Sequence, residues 1–216
     1  NPKSQNPKSQ IPILMLVKTK AIVISTLKFQ EKSLIVKCFT QSHGLKSYFV
    51  RNAFSGKKNN QKIAYFQPLS ILEIEAVHKN KGTLEHFKEI KTAIPFQTIH
   101  LDIVKSTMVL FLSEILHHAI HEEEQNEDLF KYLETALQWL DTHNETSNFH
   151  LILMLEITKF LGFYPDTSDQ DLPFFEMNEG VFSLFQAISC LSEHESFLLK
   201  KLIDLRLDSD QKVFHI

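Results

Sequence analysis

The sequence predicts an α+β protein in two parts: a small five-stranded β-barrel followed by an all-helical domain. Three observations carry this reading. Between Val17 and Lys91 apolar residues alternate over short runs bounded by turn-forming residues, whereas beyond Phe96 their period changes from two to 3.6. The charge changes at the same place. Residues 15–95 carry 14 basic side chains against five acidic ones and residues 96–216 carry seven against 21, an asymmetry that the overall net charge of −3 conceals. Ala93-Ile94-Pro95-Phe96 lies at the change, where proline discourages a strand from continuing. The expected parts are therefore 15–95 and 96–216, preceded by residues 1–14. With 43% hydrophobic residues, 18 of the 216 being Phe, each part can bury a core.

Taken in order, the first 14 residues hold a direct duplicate, Asn-Pro-Lys-Ser-Gln at 1–5 and again at 6–10, and read as a leader or appended extension. Five β-prone runs follow: Val17–Ser25, Ser33–Thr40, Leu45–Arg51, Leu69–Val77 and Leu84–Lys91. Gln41-Ser42-His43-Gly44 joins the second to the third, and Asn80-Lys81-Gly82-Thr83 joins the fourth to the fifth, each with glycine where a positive φ costs least. Five short antiparallel strands in about 75 residues predict a small barrel of the oligonucleotide-binding kind, an OB-fold. Its alternation is imperfect, as expected where some outward positions are also covered.

In the second part, Ile99, Ile103, Leu112, Ile115, Leu116 and Ala119 fall mainly on one helical face, ahead of the acidic Glu122-Glu123-Glu124. Asn126-Glu127-Asp128 opens a second helix through Leu140, and Asn148 to Leu161 forms a third, stopped by Gly162 and then Pro165. A polar loop at 166–171 and a segment from Glu179 to Cys190 lead to Ser192-Glu193-His194-Glu195. That is a capping box for a last helix through Arg206.

The chemistry concentrates in the basic part, whose centre reads Gly44-Leu45-Lys46-Ser47-Tyr48-Phe49-Val50-Arg51-Asn52-Ala53-Phe54-Ser55-Gly56-Lys57-Lys58. Cationic and aromatic residues interleave there. Such a surface suits a polyanion with stackable bases, because ammonium and guanidinium groups displace counterions from phosphates while aromatic faces accept unpaired bases. Lys18, Lys20, Lys28, Lys32, Lys46, Arg51, Lys57 and Lys58 are the candidates for phosphate contact. Tyr48, on the same strand face as Lys46, is the candidate for base stacking, with a half-buried barrel tyrosine as the alternative. Phe49, Tyr65 and Phe66 are expected in the core.

Other chemistries fare worse. Glu114, His117 and His121 share a helical face with His118 adjacent, a pattern that invites a metal-dependent phosphoesterase, but no second Glu-x-x-His supplies the partner ligands. There is no Gly-x-Ser-x-Gly, no Walker loop and no Gly-x-Gly-x-x-Gly, and five glycines leave little for phosphate-cradling loops. No catalytic residues are expected. Cys38 and Cys190, two in all, exclude a disulfide framework and a four-thiolate zinc site. No apolar run approaches the roughly 20 residues of a membrane span, which predicts a cytoplasmic location.

Several local sequences, in order, resemble the bacterial RecO family: Lys18-Thr19-Lys20-Ala21-Ile22-Val23-Ile24, Gln30-Glu31-Lys32-Ser33-Leu34-Ile35-Val36, Gly44-Leu45-Lys46 with Val50-Arg51-Asn52-Ala53, and Phe160-Leu161-Gly162-Phe163-Tyr164-Pro165. The likeness runs from about Met15 to the C-terminus. It implies an OB-fold barrel with a helical C-terminal domain, in which basic residues of the first strand, and of the third strand with its loop, face nucleic acid. It also implies binding of single- and double-stranded DNA at the nucleoid, single-strand annealing, contact with the C-terminal tail of single-strand-binding protein, and partnership with RecR in loading recombinase during DNA repair. One departure matters. Many relatives carry Cys-x-x-Cys pairs after the Gly-x-x-Pro turn and again further on, and the corresponding Asp166–Asp171 and Phe182–Cys190 offer no thiol pair. No cofactor and no zinc are therefore expected, with Phe174, Phe175 and Phe182 holding the loop by packing. Two readings stay open beside the mediator: the phosphoesterase, and a scaffold whose basic half binds acidic protein tails.

Overall fold

The computed structural model describes residues 15–54, 63–79, 84–121, 125–144 and 146–205. The chain divides into two compact units, one running to Pro95 and the other beginning at Phe96, with Ile120–Gln125 grouped with the first.

The first unit is a five-stranded antiparallel sheet in the order β3-β2-β1-β4-β5. The strands are β1 (Met15–Phe29), β2 (Ser33–Thr40), β3 (Gly44–Val50), β4 (Ile71–His78) and β5 (His86–Ile94). β1 is longer than its expected Val17–Ser25 because it serves two partners. Met15–Ile22 pairs with β4 and Ala21–Phe29 with β2, and a bulge between Val23 and Ser25 lets the strand bend from one to the other. Bends of this kind let a short sheet curl into a barrel. Closure comes at the opposite edge, where the Phe49 amide donates to the Glu85 carbonyl at 2.9 Å and the Glu85 amide to the Ser47 carbonyl at 2.8 Å, a parallel bridge between β3 and the start of β5. The OB-type barrel is thus present. The interior is filled by Ala21, Val23, Leu34, Val36, Cys38, Tyr48, Phe66, Leu72 and Ile74. Burial pushes the Cys38 thiol far up, so it is an inert apolar filler and not a nucleophile. At the β2–β3 turn Gly44 adopts φ 59°, and the Thr40 hydroxyl donates to its carbonyl at 2.8 Å. The Asn80–Thr83 turn lies outside the described residues.

The second unit carries α1 (Ile103–Ala119), α2 (Glu127–Thr142), α3 (Phe149–Leu161) and α4 (Glu193–Asp204). Three of the expected termini are built as their chemistry dictates. The Asn126 side chain accepts from the Leu129 amide, Gly162 closes α3 in the left-handed region at φ 81°, and Ser192 and Glu195 complete a capping box. Between α3 and α4 the chain adds a hairpin that periodicity did not mark, β6 (Phe174–Glu176) with β7 (Val181–Ser183). Three-residue strands are too short to show an alternation. Phe175 and Phe182 meet edge to face at 5.1 Å and form a small core with Ile203 of α4, to which the hairpin is also tied by the Phe175 amide donating to the Ser196 hydroxyl at 2.9 Å.

Helix α1 begins at Ile103, four residues after the first expected apolar position, and the reason is a carboxylate. Asp141, near the end of α2, accepts from the backbone amides of Gln97, Thr98 and Ile99 at 2.7–3.0 Å. Held there, residues 98–102 form a turn of their own, with the Leu101 and Asp102 amides donating to the Thr98 carbonyl at 3.0 and 2.8 Å, and the helix starts where the Asp102 side chain accepts from Val104 and Lys105 at 2.9 Å. The buried Lys105 ammonium completes the knot, donating to the Thr98 hydroxyl at 2.7 Å and to the Asp141 carbonyl at 3.2 Å. Burial would raise the Asp141 pKa. The three amides outweigh it and hold the carboxyl below its ordinary 3.8. Its contribution is therefore present above about pH 4 and lost as pH falls through the depressed value. Asp141→Asn should lower the unfolding free energy of this unit by about 2–3 kcal/mol in urea titration at pH 7, and by progressively less as the pH approaches 3.

Candidate nucleic-acid interface

The structure divides the expected basic set. Lys28, Lys32 and Arg51 come together at one end of the barrel, where Lys28, Leu34 and Val50 lie side by side across β1, β2 and β3. The chain after β3 folds back onto this end. The Phe54 amide donates to the Lys32 carbonyl at 3.3 Å, and the Lys28 ammonium stands 5.7 Å from the centre of the Phe54 ring. Arg51 is exposed in that turn, as are Lys28 and Lys32. Lys57 and Lys58 follow it in sequence and lie outside the described residues.

Lys18 and Lys20 have a different setting. They stand opposite Glu75 and Glu73 of β4, and the Lys18 ammonium lies 3.3 Å from the Glu75 carboxylate, which Lys88 also approaches at 3.8 Å. Lys91 and Glu89 pair at 3.0 Å on the same sheet. Exposed pairs add little stability, but they cancel the field a phosphate would sense. Eight residues of extended strand, roughly 26 Å, separate Lys20 from Lys28. Lys46 is at the far end of β3, opposite Cys38. There its charge adds to burial in lowering the pKa of His43, and it contributes after burial and His43 to lowering that of His78.

Two expectations are corrected. Tyr48 is not available to a base. It is fully buried, stacks at 4.2 Å on Phe87 and shares a 2.9 Å hydrogen bond with Nε2 of His78. The face it shares with Lys46 points into the barrel, and Lys46, nearer the β2–β3 turn, is partly exposed. Phe49, expected in the core, is instead half-exposed on the outer face. Phe29 is 5.9 Å from it at an interplanar angle of 84°, and His86 is 6.2 Å away at 84°. Phe29, Phe54 and His86 were not singled out from the sequence; the alternation Leu27-x-Phe29, continued past Ser25, was the signal that could have found the first. The histidine cluster dissolves as well. α1 ends at Ala119, before His121, and Glu114 bonds to His118 at 3.0 Å. Among the described residues no three His, Cys, Asp or Glu side chains converge as a metal site. No helix among them is long and apolar enough to cross a membrane.

A closed five-stranded barrel with a cationic, aromatic end, linked to a helical unit, places the chain in the class of OB-fold proteins with a helical second domain. The family model described as Recombination protein O N terminal matches residues 15–96, and that described as Recombination protein O C terminal matches residues 100–205. Proteins named DNA repair protein RecO are similar over most of their length. That of Flavobacterium johnsoniae is 75% identical over 202 residues, covering 94% of this chain and 85% of its own. The Flavobacterium psychrophilum protein is 72% identical over 195 residues (90% and 82%), and that of Christiangramia forsetii 41% identical over 200 (92% and 84%). The chain belongs to the RecO family of DNA repair proteins.

Tyr48→Phe tests the corrected role of this residue. Losing the hydroxyl leaves a buried imidazole nitrogen short of its partner, so urea titration should show the barrel destabilised by about 1–2 kcal/mol, while oligonucleotide affinity stays within twofold.

Proposed function

We propose that this chain is a DNA-binding recombination mediator, promoting single-strand annealing and recombinase loading in gap and double-strand break repair together with RecR and single-strand-binding protein. The observation that carries the reading is the gathering of Lys28, Lys32 and Arg51 around exposed aromatic rings at one end of an OB-type barrel, in a chain of the RecO family. Cations there displace counterions from a strand's phosphates, and two strands held close with their charge screened meet at high effective concentration. Base pairing then supplies the free energy, so annealing needs no nucleotide hydrolysis and no covalent catalysis. The work is done in the cytoplasm at the nucleoid, without a metal or other cofactor.

Fluorescence anisotropy of a labelled single strand tests this. With Lys28, Lys32, Arg51, Lys57 and Lys58 on phosphates, log K against log salt should slope by about −3.5, and a Lys28, Lys32, Arg51 triple alanine variant should lose about 2 of that slope. Lys18→Ala with Lys20→Ala should change affinity less than twofold. Salt-independent binding, or equal losses from both variants, would sink the assignment.

For the tail of single-strand-binding protein, the reading favours the helical unit. Ile103, Val104, Met108 and Phe111 of α1, with His150 of α3, line an open apolar groove of about 490 Å³. The α1 residues Ile103, Val104 and Phe111 are well exposed along it. An apolar seat of this size suits the end of a partner's peptide. Phe111→Asp should weaken a labelled tail peptide at least tenfold without changing oligonucleotide affinity. Unchanged peptide binding, together with competition between peptide and oligonucleotide, would move the tail to the basic barrel.

A further inference from the structure

The outer face of β1, β2 and β3 carries an apolar patch that neither unit's described core absorbs. Leu27 is 64% and Phe29 38% exposed, and Ile35 and Phe49 are half-exposed beside them. Cross-strand register makes these residues neighbours: Leu27 is opposite Ile35, and Ile35 is opposite Phe49. Phe29 and His86 each meet Phe49 edge to face, at 5.9 and 6.2 Å between ring centres, so the three rings form one contiguous aromatic cluster.

What surrounds the patch defines its occupant. Across residues 25–54 there are five basic side chains, Lys28, Lys32, Lys37, Lys46 and Arg51, against one acid, Glu31. Lys37 lies two residues from Ile35 on the same face of β2, and Lys32 and Arg51 belong to the turns at the patch's end. A sheet face that is aromatic in the middle and cationic at its margin complements a ligand with flat apolar groups strung on an anionic backbone.

Resting on the DNA-binding reading above, we propose that Phe29 and Phe49, bordered by Leu27, Ile35 and His86, form a stacking platform for unpaired bases, by which this barrel distinguishes a single strand from a duplex. A duplex offers its phosphates to the surrounding cations but keeps its base faces stacked internally. A single strand offers both. The cations set affinity for any nucleic acid, and the rings discriminate between paired and unpaired forms.

The experiment uses the full chain and three fluorescent probes of equal length: a single strand, its duplex, and an abasic strand that keeps the phosphates and lacks the bases. The wild type is expected to bind the single strand about tenfold or more tighter than the abasic strand, as one stacked base requires. Phe29→Leu with Phe49→Leu should erase that difference while leaving the abasic and duplex affinities and the salt slope unchanged. Phe49→Trp, which keeps a ring, should retain it. Far-ultraviolet circular dichroism and urea midpoints establish that each variant is folded. Wild-type discrimination that survives the double Leu variant overturns the platform and leaves DNA binding standing. Equal loss on all three probes also overturns it, since that would mark a structural defect. A wild type that binds none of the probes overturns the DNA-binding reading itself and the platform with it.

Discussion

The barrel depends on β1 having hydrogen-bonding partners on both sides. Ala21 and Ile22 stand at the overlap, opposite Thr40 and Phe39 of β2 and opposite Leu72 and Ile71 of β4. The strand can serve both only because the bulge between Val23 and Ser25 turns it from one partner to the other. β3 is then brought round to meet Glu85, and the sheet that would otherwise present two open edges closes on itself. Glu85 is 2% exposed, and its carboxylate also accepts from the Lys79 amide at 2.8 Å, so one residue fastens both the closure and the approach to β5.

That geometry sorts residues of one type into different roles. Lys18 and Lys28 are chemically identical and lie on the same strand. The first half of β1 faces β4, where Glu73 and Glu75 alternate against Lys20 and Lys18, so its positive charge is balanced within the sheet. The second half faces β2, which carries no acid, and its lysine stands over an aromatic ring. Among the described residues, Lys28, Lys32 and Arg51 are thus gathered at one end of the barrel, beside the apolar face that β1, β2 and β3 share.

The helical unit is organised by polar fastening as much as by apolar packing. Asp141 chelates three consecutive amides, and Lys105 is buried against the same knot, so the entry to α1 is held by charge-assisted hydrogen bonds. At the other end, the hairpin between α3 and α4 is held by Phe175, Phe182 and Ile203. Two of these are among the aromatics expected to hold this region in place of thiolates.

Much of this was legible beforehand, and the pattern of success has a physical cause. β2 was read at its observed ends, the Asn126 and Ser192 caps and the Gly162 stop were read at their observed positions, and the OB-type barrel followed from five short runs. Each of these depends on chemistry within a few residues: a side-chain acceptor three residues before an amide, a left-handed φ, an alternation over eight positions. The burial of Tyr48, the exposure of Phe49, the pairing of Lys18 and the late start of α1 do not. Each turns on a partner far off in sequence, His78, Phe29, Glu75 and Asp141 in turn, and a strand's two faces look alike until the sheet curls and makes one of them the inside. Where elements begin and end was written locally, whereas which cations and rings remain for a ligand was decided only when the strands paired.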